Sequence, residues 1–456
     1  MRRTISGLIL FLSACAPIGQ AEVTKASHLG IGGALSMPSV QSFPAFNGSV
    51  ATRSNAEIAA DFMDLEFSLE SGRTLPVLTR FEGPITVALR GDAPPTAKAD
   101  LGLLLSRLRS EALIDIIETT ATSASIVVEF IPRQQLQAKI PTAACFVAPR
   151  VASWEEYRKS RNTGVLDWTT LTRREHLAIF IPSDTTPQDV RDCLHEELAQ
   201  ALGPLNDLYR LPDSVFNDDN FQAVLTPFDM LILKAHYSHD LQNGMSAAEV
   251  SARLPALLAK LNPQGEFQAD HPNPTNARPW IDLIEKALGP KTPDPARIKA
   301  AEHALALARA AGWKDNRLAF SYFVVGRLSL GTDLTRAIAS FADASRVYLS
   351  LPDGPLHVAH VDMQMAAFAL SSGQPDAAMT LADSSIPIAL RAQNAALLAS
   401  LMLIKAQALD QLGRGKEAQT LRLDSLAWAR YGFGTDEHVC ARMAAIAGLS
   451  PDRNGG

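Results

Sequence analysis

Between Ser54 and Leu261 the spacing of hydrophobic and polar positions changes repeatedly, and each change predicts an element. Apolar residues recur at helical spacing from a Ser54/Asn55 cap through Phe67. Pro76–Arg90 holds two β-like runs, Val77–Phe81 and Ile85–Leu89, around Glu82-Gly83-Pro84, which predicts a hairpin. Ala97–Leu113 returns to helical spacing, and Ser125–Ile131 and His176–Ile181 are short apolar runs of the kind buried strands show. Another helix opens with Thr186 as N-cap, Pro187 at its first position and Asp189 at its third, and closes at Gly203. The expected architecture over residues 52–262 is an α+β domain.

Residues 263–280 are proline-rich and poor in apolar residues, so they are expected to form a linker. From 281 to 450 every segment reads as helix. Leu330-Gly331, Ser372-Gly373 and Leu412-Gly413 are each followed by a helix of small residues, and their glycines lie 42 and 40 residues apart. Such periods mark stacked helical hairpins. The segments resemble tetratricopeptide repeats, most of all Gly413-Arg414-Gly415-Lys416-Glu417-Ala418, but with a period longer than the usual ~34 residues. An all-α, tetratricopeptide-like array is therefore expected.

Residues 1–51 follow neither pattern. Met1-Arg2-Arg3 and the apolar run Ile5–Leu12 form an export signal, too short to span a bilayer. Leu12-Ser13-Ala14-Cys15 resembles a bacterial lipobox. That resemblance implies removal of residues 1–14, acylation of Cys15, and a lipid-anchored protein of the cell envelope facing the periplasm. A signal-peptidase site using Ala14 and Ala16 is the alternative. Residues 15–51, rich in Gly, Ser, Pro and Ala, are expected to be a flexible tether.

Composition narrows the function classes. Of 456 residues, 47% are apolar and 20% charged, enough for two or three domains with cores of their own. Lys and Arg number 42 against 48 Asp and Glu, a net charge of −6, so no basic stripe for nucleic acid is expected. No uncharged apolar run of ~18 residues follows the N-terminus, so no internal membrane span is expected either.

The chemistry-bearing stretch runs from Asp192 to Asp207. His195-Glu196 does not begin an HExxH zinc motif, because the position four residues on is Ala199. One residue later the outline fits better: Glu196-Glu197-x-x-Gln200-x-x-Gly203-x-x-Asn206 resembles the metzincin pattern HExxHxxGxxH. That likeness puts Glu197 at the general-base position and Glu196, Gln200 and Asn206 at the metal-ligand positions. Ser214-Val215-Phe216 sits where such folds place a Ser-x-Met turn, and the stretch from Leu225-Thr226-Pro227 to His236-Tyr237 resembles their closing helix. Zinc at neutral pH is normally held by imidazole or thiolate, and two neutral carboxamides are weak substitutes. A calcium site would call for six or more oxygens. The same helix has an ordinary structural use, since Val190, Leu194, Leu198, Ala201, Leu202 and Leu205 form an apolar stripe. His195, His236 and His239 lack ligand spacing and read as packing or surface residues. Glu196 and Glu197 point ~100° apart on a helix, which argues against a carboxylate-pair hydrolase.

The run CLHEELAQALGPLNDLYRLPDSVFNDD, with LTPFDMLILKAHY and GMS after it, resembles the bacterial putative-lipoprotein family called domain of unknown function 2927. The likeness covers about residues 52–261. It implies a zincin-like fold and an envelope location without an established activity, and in that family Glu-Glu-x-x-Gln is itself the rule. Cys145 and Cys193 can pair in an oxidising compartment, the alternative being two buried thiols. Cys440, on a late helix, is expected to be an inert core thiol.

The function expected from the chain is an envelope lipoprotein with a non-catalytic zincin-like domain and a helical array for a protein partner. It needs no cofactor and binds no nucleic acid. The alternative is a metal-dependent peptidase, using zinc or calcium, with Glu197 as general base.

Overall fold

The computed structural model describes residue 43 and residues 53–141, 143–268, 277–289 and 292–450. The expected signal peptide, Cys15, and all of the expected tether except Phe43 lie outside the described residues.

Helix α1 (Asn55–Glu66) begins at a capping box, in which the Ser54 hydroxyl accepts from the Glu57 N–H and the Glu57 carboxylate accepts from the Ser54 N–H. The chain then alternates through β1 (Ile85–Gly91), α2 (Ala97–Glu111), β2 (Ile116–Glu118), β3 (Ile126–Ile131), α3 (Arg133–Gln137), β4 (Phe146–Pro149), α4 (Trp154–Ser160) and β5 (Leu177–Pro182). Helices α5 (Pro187–Leu202), α6 (Pro227–His236) and α7 (Ala247–Leu261) complete the N-terminal region. Its five-stranded sheet has the order β2-β1-β3-β5-β4, parallel except for the antiparallel edge strand β4.

Alternation along the central strands separates two layers of core. Ile126, Val128, Leu177, Ile179 and Ile181 face α1, α2 and α5–α7. Ala178 and Phe180 face Trp154 and Leu136 on the other side. β5 is buried along its whole length, as a strand covered on both faces must be.

Val77–Phe81 is not a strand, and no hairpin forms. The Leu78 N–H donates to the Met245 carbonyl and its own carbonyl accepts from Gly244, so this segment runs against the loop before α7. Parallel pairing of β1 with β2 and β3 calls for crossover connections, which a two-stranded hairpin cannot supply. The described ends of the expected linker also have structure. Pro263–Phe267 is a 3₁₀ turn, and α8 starts at Arg278 with Pro279 in its first turn. Asn55 and Asn262 bond reciprocally at 3.0–3.1 Å and bind this turn to α1.

The C-terminal region is all helix: α8 (Arg278–Leu288), α9 (Asp294–Ala310), α10 (Asn316–Ser329), α11 (Leu334–Tyr348), α12 (Pro355–Ser371), α13 (Pro375–Arg391), α14 (Ala395–Gln411), α15 (Gly415–Phe433) and α16 (Asp436–Ala447). α10 packs on α11, α12 on α13 and α14 on α15. Gly373 and Gly413 close α12 and α14 at φ of 68° and 75°, a conformation that favours glycine. The two helices of a hairpin are unequal. α12 buries 11 of its 17 residues, whereas α13 buries only 4 of 17. The inner helices are covered on a second side because the N-terminal region sits against them.

That contact is made chiefly by the loop between α5 and α6. Tyr209 meets Trp280 edge-on at 5.1 Å, and Phe221 packs on Phe320, Phe323, Tyr348, His357 and His360. Asp219 accepts from the Asn316 amide at 2.7 Å and faces His357 Nε2 at 3.1 Å. On α5, the Gln188 amide donates to Asn394 Oδ1 and its carbonyl oxygen accepts from the Ala396 N–H. Gly432 allows the close approach here, since a Cβ would fall 2.5 Å from the Ala396 nitrogen. Phe43 packs tilted against Trp428 and edge-on to Tyr431 of α15, with the Arg191 guanidinium 5.0 Å from its ring, so this residue of the expected tether is docked.

Cys440 is exposed, not buried in a core. α16 turns Val439 and Ile446 inward, and the residue after Val439 faces out. Among the described residues no helix is long and apolar enough to cross a membrane.

Candidate functional site

Helix α5 follows the central strand β5, and its N-cap Thr186 accepts from the Asp189 N–H. The stripe Val190, Leu194, Leu198, Ala201 and Leu202 is buried in the sheet-facing core. The polar residues of the helix therefore emerge on its other faces.

The expected ligand positions do not form one set. Glu196 and Gln200 share a face, one turn apart. The Gln200 amide donates to Asp207 Oδ2 at 3.2 Å. Asn206 turns away and donates to the Asp64 carbonyl at the end of α1, 2.9 Å off. Asp207, not Asn206, thus faces the Glu196 side. The reason is backbone geometry: α5 ends at Leu202, and spacing counted past Gly203 is no longer helical. Among the described residues no group of three or more His, Cys, Asp or Glu is arranged to hold a metal ion.

What gathers instead is a cluster of carboxyls, called the carboxyl cleft below. Burial, together with Asp218, Glu70 and Glu196, holds the Asp207 carboxyl well above its usual range. Burial raises Glu196 to about 8, with Asp218, Glu70 and Asp192 adding to the effect. Asp218 rises to about 7 from burial and the neighbouring Glu70, Glu285 and Asp219. Carboxyls crowded in this way share protons because their charges cannot all form.

A stability prediction follows from these directions. A carboxyl whose folded pKa exceeds its unfolded value of about 4.5 binds a proton that the unfolded chain has lost. Its stabilising contribution is complete below the unfolded pKa and disappears as pH rises through about 8. The melting temperature should therefore fall between about pH 5 and pH 8, and Glu196→Gln should flatten that fall. Calorimetry across this range checks it, and an unchanged slope in the variant would refute the assignment.

Glu197 borders this cluster on the β4 side of the helix. One oxygen accepts from the Val147 N–H of β4, and the other is buried without a partner. Burial, then Glu196 and Glu70, raise its carboxyl well above the ordinary range. Cys145 and Cys193 form a disulfide, Cα–Cα 6.1 Å, which fastens α5 to the segment leading into β4 one turn before Glu197. The residues it links are 48 apart in sequence. Replacing both by Ser should cost about 4 kcal/mol by loop-closure entropy, read as a lower urea midpoint. Free-thiol counts on the denatured wild-type chain should rise by two on reduction.

The remaining positions build the floor. Ser214 donates to Asp229 Oδ1 at 2.5 Å, and the Val215 N–H donates to the same carboxylate, which also caps α6. Phe216 is fully buried beneath this turn. His195 Nδ1 accepts from the Leu225 N–H, and burial holds the ring neutral. His236 meets Glu66 at 2.8 Å, tight against Gly203, where a Cβ would come within 3.1 Å of the Glu66 oxygen. His239 is exposed, so the three histidines do not converge.

Sequence reasoning missed Arg174. It is buried and donates to the carbonyls of Gln200 and Ala201 at 2.6 and 2.8 Å and to that of Gly203, closing the end of α5. It also missed Glu70 and Asp218. Asp218 lies inside the Ser-x-Phe-Asn-Asp run already singled out, whereas nothing in the pattern distinguishes Glu70.

Residues 55–256 match the family model described as Protein of unknown function (DUF2927). A DUF2927 domain is therefore present, spanning the sheet, α5 and the carboxyl cleft and ending within α7. No curated protein and no solved structure matches the chain.

Proposed function

We propose that this protein is a cell-envelope lipoprotein, acylated at Cys15 and facing the periplasm, that works by binding and not by hydrolysis. In this reading the N-terminal domain is zincin-like, with its peptidase chemistry lost, and the tetratricopeptide-like helices brace it. The supporting observation is how the ligand positions are used. Gln200 is bonded to Asp207 and Asn206 to a backbone carbonyl, leaving Glu196 among carboxyls with no imidazole beside it. Such donors do not fit zinc, which at neutral pH is held mainly by nitrogen or sulfur ligands. Without a tightly held metal, nothing lowers the pKa of a water for Glu197 to deprotonate.

The helical array has an evident first partner in the chain itself. Faces of α10, α12 and α14 that would otherwise receive another protein carry Phe221, Asp219 and Gln188 of the N-terminal region. An external protein partner would meet the outer layer of α11, α13 and α15.

The second reading, a peptidase with Glu197 as general base and zinc or calcium bound, draws on the unpartnered Glu197 oxygen. Metal analysis and peptide cleavage on the purified protein decide between them. Neither stoichiometric zinc or calcium nor turnover is expected. Stoichiometric metal, with cleavage abolished by Glu197→Gln, would overturn the binding reading. Cys15→Ala should release the protein from the membrane fraction.

A further inference from the structure

Where α5, the 218–223 loop, α10, α12 and α14 meet, a partly enclosed cavity of about 80 Å³ lies between the two regions. Three polar side chains on its wall lack partners. His360 is 4% exposed, rests against Phe221 at 4.5 Å, and uses neither ring nitrogen in a hydrogen bond. Among the described residues nothing accepts from the Arg327 guanidinium, which lies 6.0 Å from the Phe323 ring centre. Among the described residues no donor bonds the half-exposed Asp218 carboxyl. Buried polar groups are nearly always satisfied, so an unpartnered buried imidazole, set beside a half-exposed guanidinium and a half-exposed carboxyl, calls for an occupant.

The charges select its class. A simple anion on Arg327 would sit beside Asp218 and Asp192, and a simple cation on Asp218 would sit beside a guanidinium. A molecule with both charges a few bonds apart answers both. The volume would hold about five to eight waters, which corresponds to an organic molecule of about five or six non-hydrogen atoms.

We propose that this cavity binds a small zwitterion of the amino-acid class, its carboxylate on Arg327, its ammonium on Asp218, and a further hydrogen bond to His360. Arg suits the first role because its planar fork matches a carboxylate. The site goes beyond the binding function proposed above and does not require the zincin-like reading, since Glu197 takes no part.

Titration calorimetry of the full chain with glycine and L-alanine, and with acetate and methylammonium as half-ligands, tests this. One of the amino acids should bind saturably with Kd below about 1 mM, and each half-ligand at least about tenfold more weakly. Arg327→Met and Asp218→Asn should each weaken binding by about tenfold or more. The site is refuted if neither amino acid saturates by about 10 mM, which would leave only water in the cavity. It is equally refuted if a half-ligand binds as tightly as the amino acid, or if binding persists in both folded variants. The half-ligand comparison uses the wild-type chain alone and so stands even if a variant does not fold.

Discussion

Replacing Phe221 by alanine should destabilise the chain by about 3–5 kcal/mol, the usual cost of emptying a buried aromatic site. The ring reaches out of the α/β region and packs among five aromatic or imidazole rings of the helical region. Those neighbours belong to α10, α11 and α12, anchored by their own helices, so they cannot collapse into the space. A second effect should accompany the loss. In the wild-type chain, urea unfolding followed by the summed fluorescence of Trp154, Trp168, Trp280, Trp313 and Trp428 should coincide with unfolding followed by far-ultraviolet circular dichroism. In the variant the two transitions should separate, because the main apolar contact between regions is gone. A change under about 1 kcal/mol would mean that the loop is not an anchor.

The other large effect is expected at Arg174. Its guanidinium occupies the C-terminal end of α5, where carbonyls without helical partners collect and the helix dipole is negative. Arg174→Met would leave the carbonyls of Gln200, Ala201 and Gly203 buried and unanswered, at about 3–5 kcal/mol. Arg174→Lys should recover only part of this, since one ammonium cannot span three acceptors as a planar fork does. Urea midpoints for the two variants give the comparison, and equal values for Lys and Arg would refute the capping role.

How far the sequence could be read depended on the range of the forces involved. Helix starts at Ser54 and Thr186 were legible because a cap is a contact between residues three apart. The α5 stripe was legible for the same reason. Val77–Phe81 misled because its apolar residues are buried by a partner loop more than 160 residues away, which local alternation cannot distinguish from a strand. The carboxyl cleft was half legible. Glu196 and Gln200 lie on a helix, where counting works, but Asp207 lies past Gly203, where it does not. The junction between regions left a single trace, Tyr209 and Phe221 among the three aromatics of a loop otherwise rich in Asp and Asn.

Asp219 shows what the junction implies for anyone dividing the molecule. A fragment ending at residue 256, where the family match stops, would leave Tyr209 and Phe221 in water and deprive Asp219 of Asn316 and His357. The complementary fragment, the helices alone, would bare the inner sides of α10, α12 and α14, with Arg327 and His360 among them. Neither half is a natural unit for expression: each serves as the other's solvent shield, and the smallest soluble piece should run from before Ser54 to beyond α16.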